Sequence, residues 1–154
     1  GNMGSSMRMN YTMMGDTVNL AARLEPAAKH YGVYIFVAEH TQKAVADLFE
    51  WRFLDYLRVK GKKKPVKGYE LISLKNEMSD DQSQLVQAFD EGINLYKKQD
   101  WTKAKKRFKD ALSMEEKFVD RPTTPSDVYL ERCDYFKAEP PGKDWDGIWT
   151  MNTK

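Results

Sequence analysis

Two spacings of apolar residues divide the chain. Up to about residue 75, short apolar runs alternate with small or polar stretches; from Leu85 onward, apolar residues recur every three to four positions. In the first part, "MRMNYTMM" (7–14) follows a Gly- and Ser-containing turn and reads as a short strand. A helix follows from about Thr17, with Asp16 as its cap. Pro26 either ends it or opens a further turn, "PAAKHYG", which Gly32 stops. "VYIFVA" (33–38) is a continuous apolar run with β-branched and aromatic members, the pattern of a buried strand. "EHTQKAVADLF" (39–49) reads as a short helix with Val45, Leu48 and Phe49 turned inward. "WRFLDYLRVKG" and "VKGYELISL" read as two strands joined by the basic turn "KGKKKP". Strands alternating with helices and closing on an antiparallel hairpin predict an α+β layer.

The second part is all helical in pattern. "KNEMSDDQSQ" (75–84) is polar and lacks periodicity, which puts a boundary there, with residues 76–84 as a linker. Leu85, Ala88, Phe89, Gly92, Leu95 and Tyr96 then mark one amphipathic helix, and Trp101, Ala104, Phe108, Ala111 and Leu112 a second. Gly92, Ala104, Phe108 and Ala111 also fall on the tetratricopeptide-repeat pattern, although "KKQDW" replaces the glycine between the helices. A third helix is expected from Ser126, with Val128, Tyr129, Cys133 and Phe136 as its apolar face. The helical tail therefore spans 85–138, and 139–154 forms a closing segment in which Trp145 and Trp149 cap it by packing. One helical hairpin cannot bury its own apolar face. The tail must lie on the first part of the chain, on a second copy or on another protein.

Composition adds bounds. The chain has 154 residues, 41% hydrophobic and 31% charged, which fits a globular chain and argues against a disordered one. A formal net charge of +2 gives no electrostatic footprint for nucleic acid. The single cysteine, Cys133, rules out an internal disulfide framework, fits a reducing, cytoplasmic compartment, and reads as a packing thiol.

The chemistry is concentrated in "YTMMGDTVNLAARLE" (11–25). Asn19 and Arg23 stand at i and i+4, one turn apart on the expected helix. Spacing alone reads first as an exposed polar stripe. The whole string, however, resembles the second half of the class III nucleotide cyclase catalytic domain, in which a strand ending in Tyr-Thr or Tyr-Asp runs through Gly-Asp-x-Val-Asn into Ala-Ala-Arg-Leu-Glu. "GNMGSSMRMN" (1–10) resembles that family's Gly-Asn-x-Gly-Ser turn and following strand, and "FLDYLRVKGKKKPVKGYELI" (53–72) resembles its closing hairpin.

The resemblance implies that residues 1–75 are the C-terminal half of a ferredoxin-like cyclase domain and that the chain is a fragment of a bacterial-type adenylate cyclase. It implies that Arg23 stabilises charge at the α-phosphate and that Asn19 orients the ribose. Lys60 would bind the triphosphate, Thr12 would select adenine, and the Met13 backbone would lie against the base. Lys62, Lys63, Lys64 and Lys67 are read as a solvated turn. The ligands for Mg²⁺ or Mn²⁺ are expected in the N-terminal half, outside this chain, so the fragment alone is expected to be inactive. The site would be completed by a second cyclase domain in a homodimer, with ATP as substrate and a protein partner possible for the tail. The alternatives are a guanylate cyclase and a catalytically silent module that binds a protein through its tail.

Overall fold

The computed structural model describes residues 16–58 and 64–150, with the backbone alone for 16–23. Thr12, Met13 and Lys60, the expected first strand and the tip of the hairpin lie outside the described residues. The fold is α+β: a three-stranded antiparallel sheet and five helices among the described residues.

Helix α1 runs over Asp16–Tyr31 without a break, so Pro26 neither ends it nor restarts it. Pro26 is exposed and removes one ladder hydrogen bond at the surface, a local cost that the helix survives. The helix stops at Gly32, whose φ of 75° is open to glycine at little cost. There the Val33 N–H donates to the Ala28 carbonyl at 2.9 Å and closes the last turn.

The apolar run 33–38 gives a shorter strand than expected. Strand β1 covers only Phe36–Ala38, while Tyr34 and Ile35 remain about half exposed. Helix α2 is likewise shorter, Glu39–Ala44. Leu48 is 58% exposed, not inward, and Phe49 already belongs to strand β2, Phe49–Leu57. The sheet takes these residues: Phe49 pairs with Leu74 of strand β3, Val66–Leu74, and the Leu48 carbonyl accepts from the Lys75 N–H at 2.9 Å. The strand order is β1-β3-β2. Gly68 of β3 lies under the Phe36 ring, where a Cβ would collide with it.

Strand β2 does not alternate regularly. Register shifts between Glu50 and Trp51 and between Phe53 and Asp55 bulge it, and Leu54 and Asp55 are buried side by side. With Arg52 also buried, β2 sends two charged groups into the interior.

The polar stretch 75–84 contains a helix start. Ser79 caps helix α3, Asp80–Lys97, in a reciprocal box: its side chain accepts from the Gln82 N–H, and the Gln82 side chain accepts from the Ser79 N–H. Helix α4, Trp101–Met114, returns against α3, and Gln99 takes the left-handed conformation, φ 62°, that the tight turn requires. Helix α5, Pro125–Ala138, starts one residue before the expected Ser126. Thr124 is its cap, and Pro125 sits where a missing N–H costs least.

The buried residues form one continuous cluster, from Ala28, Val33, Phe36 and Leu54 through Phe89, Tyr96 and Phe108 to Tyr129 and Phe136. The helical hairpin thus buries its apolar face against the sheet layer of its own chain, through α5. Trp145 and Trp149 pack on Phe136 with ring centroids 5.0 and 5.2 Å away, as the expected cap does. Cys133 is fully buried, and burial pushes its thiol up to about 12, consistent with a packing role.

Gly92 marks the closest approach of α3 and α4. A Cβ there would stand 2.7 Å from the Phe108 ring, which is itself held by Phe89 and stacked on Tyr129 at 4.9 Å. Gly92→Ala should therefore destabilise the protein by about 1–3 kcal/mol despite alanine's better helix propensity. Denaturant unfolding measures it; equal or greater stability would show that the ring can retreat.

Candidate functional site

Asn19 and Arg23 occupy positions one turn apart in α1, as expected. Arg23 precedes Tyr31 by two turns, about 12 Å along the axis at 1.5 Å per residue. The site residues Thr12, Met13 and Lys60 lie outside the described residues, so the structure brings no full expected set together. Lys64 and Lys67 are exposed, as expected, but Lys67 belongs to strand β3, opposite Tyr56, and not to the turn; it stands 4.0 Å from Glu39.

What the structure adds is a pair of buried ionic junctions between the sheet and the helices. In one, Asp55 of β2 accepts from the Tyr31 hydroxyl at the end of α1 and from Arg132 Nη1 of α5 at 2.7 Å. Arg132 Nη2 also donates to the Tyr31 hydroxyl at 3.2 Å, and the Tyr56 N–H donates to Asp55 at 2.8 Å. Beside them the Tyr129 hydroxyl donates to the Leu54 carbonyl at 2.5 Å. The Arg132 guanidinium lies over the Tyr129 and Trp149 rings at 4.9 and 5.0 Å. Burial works against its charge, but Asp55 together with the Tyr31, Tyr129 and Tyr96 groups outweighs it and holds Arg132 protonated. Burial and the Asp55 charge both push the Tyr31 hydroxyl far up, so it stays a donor.

In the other junction, Arg52 of β2 donates to Glu70 of β3 through Nε at 2.9 Å and lies 2.7 Å from Glu115, just past α4. Ser126 of α5 donates to Glu115 at 2.5 Å, and the Arg52 guanidinium faces the Phe89 ring at 4.8 Å.

These residues carry a signal that helical and strand spacing could have exposed. Arg132 is four residues after Val128 and four before Phe136, on the apolar stripe of α5. Arg52 alternates with Leu54 on the inward face of β2. Asp55 had no such signal, because only the bulge turns it inward.

A cleft of about 500 Å³ opens beside the first junction, lined by Pro26, His30, Tyr31, Asp55, Arg132 and Trp149 among others. Tyr31, Asp55 and Arg132 are occupied with one another, so what they offer is a fixed junction and not a free nucleophile or base. Among the described residues, no three His, Cys, Asp or Glu side chains are grouped so as to hold a metal ion. No helix among them is long and apolar enough to cross a membrane.

Comparison with known proteins gives sequence relatives. The chain is 33% identical over 139 residues to "Adenylate cyclase, terminal-differentiation specific" of Dictyostelium discoideum, covering 86% of this chain and 6% of that protein. It is 34% identical over 74 residues to "Adenylate cyclase 1" of Rhizobium meliloti (strain 1021), covering 48% of this chain and 11% of that one. It is also 34% identical over 74 residues to "Adenylate cyclase" of Anabaena cylindrica, covering 46% and 15%. The chain thus spans a small part of the length of these relatives. An alignment taking in 86% of the chain necessarily runs through the helical hairpin as well as the sheet. No family model and no solved structure matches the chain.

His30 lines the cleft, edge-on to Tyr31 with ring centroids 4.9 Å apart. Burial, and then the Arg132 charge, lower its pKa below the ordinary 6.5. The fold therefore favours the neutral imidazole: its contribution to stability is full above pH 6.5 and declines as pH falls toward the lower folded value. Between about pH 7.5 and pH 5.5, His30→Gln should lose less thermal stability than the parent. Parallel pH dependences would remove His30 from the acid response.

Proposed function

We propose that this chain is the C-terminal part of a class III adenylate cyclase catalytic domain, with a tetratricopeptide-like helical tail. In the assembled enzyme, ATP is converted to 3′,5′-cyclic AMP and pyrophosphate. The observation that carries the reading is the 33–34% identity to three proteins named adenylate cyclase. The "DTVNLAARLE" string at the start of α1 supports it, because helix α1 holds Asn19 and Arg23 one turn apart.

The reaction sends the ribose 3′-oxygen in line onto the α-phosphorus, and the bond to the departing pyrophosphate breaks while the 3′-hydroxyl gives up its proton. Charge grows on the α-phosphate oxygens, so a permanently protonated planar guanidinium is the suitable group there, and Arg23 fills that role. Asn19 holds the ribose so that the 3′-oxygen stays in line. Lys60 binds the triphosphate as a point charge, Thr12 accepts from the adenine amino group, and the Met13 backbone lies against the base. Among the described residues, no group of side chains fits a metal ion. In this reading the Mg²⁺ or Mn²⁺ ligands belong to the preceding half of the domain, and the second cyclase domain of a dimer presents them to the nucleotide held by Asn19 and Arg23.

Arg23→Ala in the full-length protein should lower turnover about 10²- to 10³-fold with a smaller change in KM for ATP. Mixing that variant with one lacking an upstream metal carboxylate should restore activity, since one interface of the mixed dimer then carries neither lesion. Unchanged turnover would remove Arg23 from the chemistry, and verified mixed dimers without activity would place both residue sets within one subunit. Base choice is tested separately: Thr12→Val should narrow the preference for ATP over GTP while triphosphate binding persists. Equal weakening toward both nucleotides would leave Thr12 a structural role only.

A further inference from the structure

The end of α1 is held by residues from the helical part of the chain as well as by the sheet. Tyr31 meets Arg132 of α5 as well as Asp55. Gly32 lies so close to the segment before α5 that a Cβ on it would collide with the Thr123 carbonyl. Tyr34 donates to Asp120, stands 4.6 Å from the Phe118 ring and lies under the Arg121 guanidinium at 4.7 Å. Three successive contacts thus clasp the helix terminus between the sheet and residues 118–132. Of these, only the Arg132 contact reaches into the helix itself. Its guanidinium sends one nitrogen to β2 and the other to α1, and its planar fork fixes both directions at once.

We infer that Arg132 is a positioning residue for turnover: through Tyr31 it sets the position of α1 on the sheet, and with it Arg23 about two turns and Asn19 about three turns away. This rests on the reading that Asn19 and Arg23 serve the nucleotide. Arg132 touches no reacting atom in this scheme. Its effect passes along a continuous helix, which carries a displacement of one end to the other. Transition-state contacts tolerate little displacement, and an error of about 1 Å costs on the order of 10²-fold in rate. The helical tail is, on this view, a part of the catalytic framework of its own chain.

The test uses the full-length protein and separates positioning from stability. Tyr31→Phe removes the hydroxyl and keeps the ring, which lies parallel to Phe36 at 5.7 Å. A paired variant, Asp55→Asn with Arg132→Met, removes both charges together and so strands neither. Each should lower turnover by about 10- to 100-fold with KM for ATP nearly unchanged and the thermal midpoint little affected. Arg132→Lys keeps the charge but lacks the fork, and should fail to restore the rate. If the paired variant does not fold, Tyr31→Phe carries the test alone.

The decisive measurement adds Tyr31→Phe to Arg23→Ala. If Tyr31 and Arg132 act through Arg23, the second change costs little beyond the first. Losses that multiply in full, or a rate that follows the thermal midpoint alone, would overturn the inference and leave Arg132 a purely structural residue. Failure of the functional reading is seen elsewhere, in an Arg23→Ala single variant that turns over normally.

Discussion

Two guanidinium groups cross the seam between sheet and helices in opposite directions. Arg52 leaves the sheet to meet Glu115 beyond α4, and Arg132 leaves α5 to meet Asp55 in the sheet. Apolar burial supplies most of the driving force but is non-directional. A buried guanidinium is different, because leaving it without its carboxylate costs several kcal/mol, and its fork accepts few geometries. The two layers therefore cannot slide or separate without stranding charge. The close approach at Gly32, the cap at Thr124 and the Tyr129 hydrogen bond to Leu54 are all set within that frame.

The seam also bears on what the helical part does. Repeat-like hairpins are commonly read as detachable adaptors, but here the apolar face of the hairpin belongs to the same cluster as Val33, Phe36 and Leu54. The Dictyostelium relative agrees, since its similarity runs through both parts of the chain. A surface for another protein would have to be found on the outward side of the helices.

The fold was legible where a residue's own spacing decides its neighbours. The apolar faces of α3, α4 and α5 stood out at helical period, and Gly32 was a readable stop. It was less legible where elements compete. Leu48 and Phe49 suit a helix face, but pairing with Leu74 and Lys75 takes them into the sheet. Residues 80–84 looked aperiodic because the first turn of α3 is exposed and polar, so only the Ser79–Gln82 box marks its start. Asn19 and Arg23 were found from a motif, and the helix they share was expected; the geometry of their side chains lies outside the described residues. Asp55 was hidden because a bulge, which no alternation pattern announces, sets its direction. Arg132 was readable in position, but a charge on an apolar stripe becomes meaningful only once its partner 77 residues away is known.

That separation along the chain has a consequence for biosynthesis. Tyr31 and Arg132 are 101 residues apart, and Leu54 and Tyr129 are 75 apart. On a ribosome, α1 and the three described strands emerge well before α5. Until α5 arrives, Asp55 and Tyr31 lack the Arg132 guanidinium, and the Leu54 carbonyl lacks the Tyr129 hydroxyl. Contacts that join distant parts of a chain form late, because the intervening loop must first be closed. The seam between the sheet and the helices therefore stays incomplete until α5 has left the exit tunnel. Helix α1 is thus completed by a segment made about a hundred residues after it.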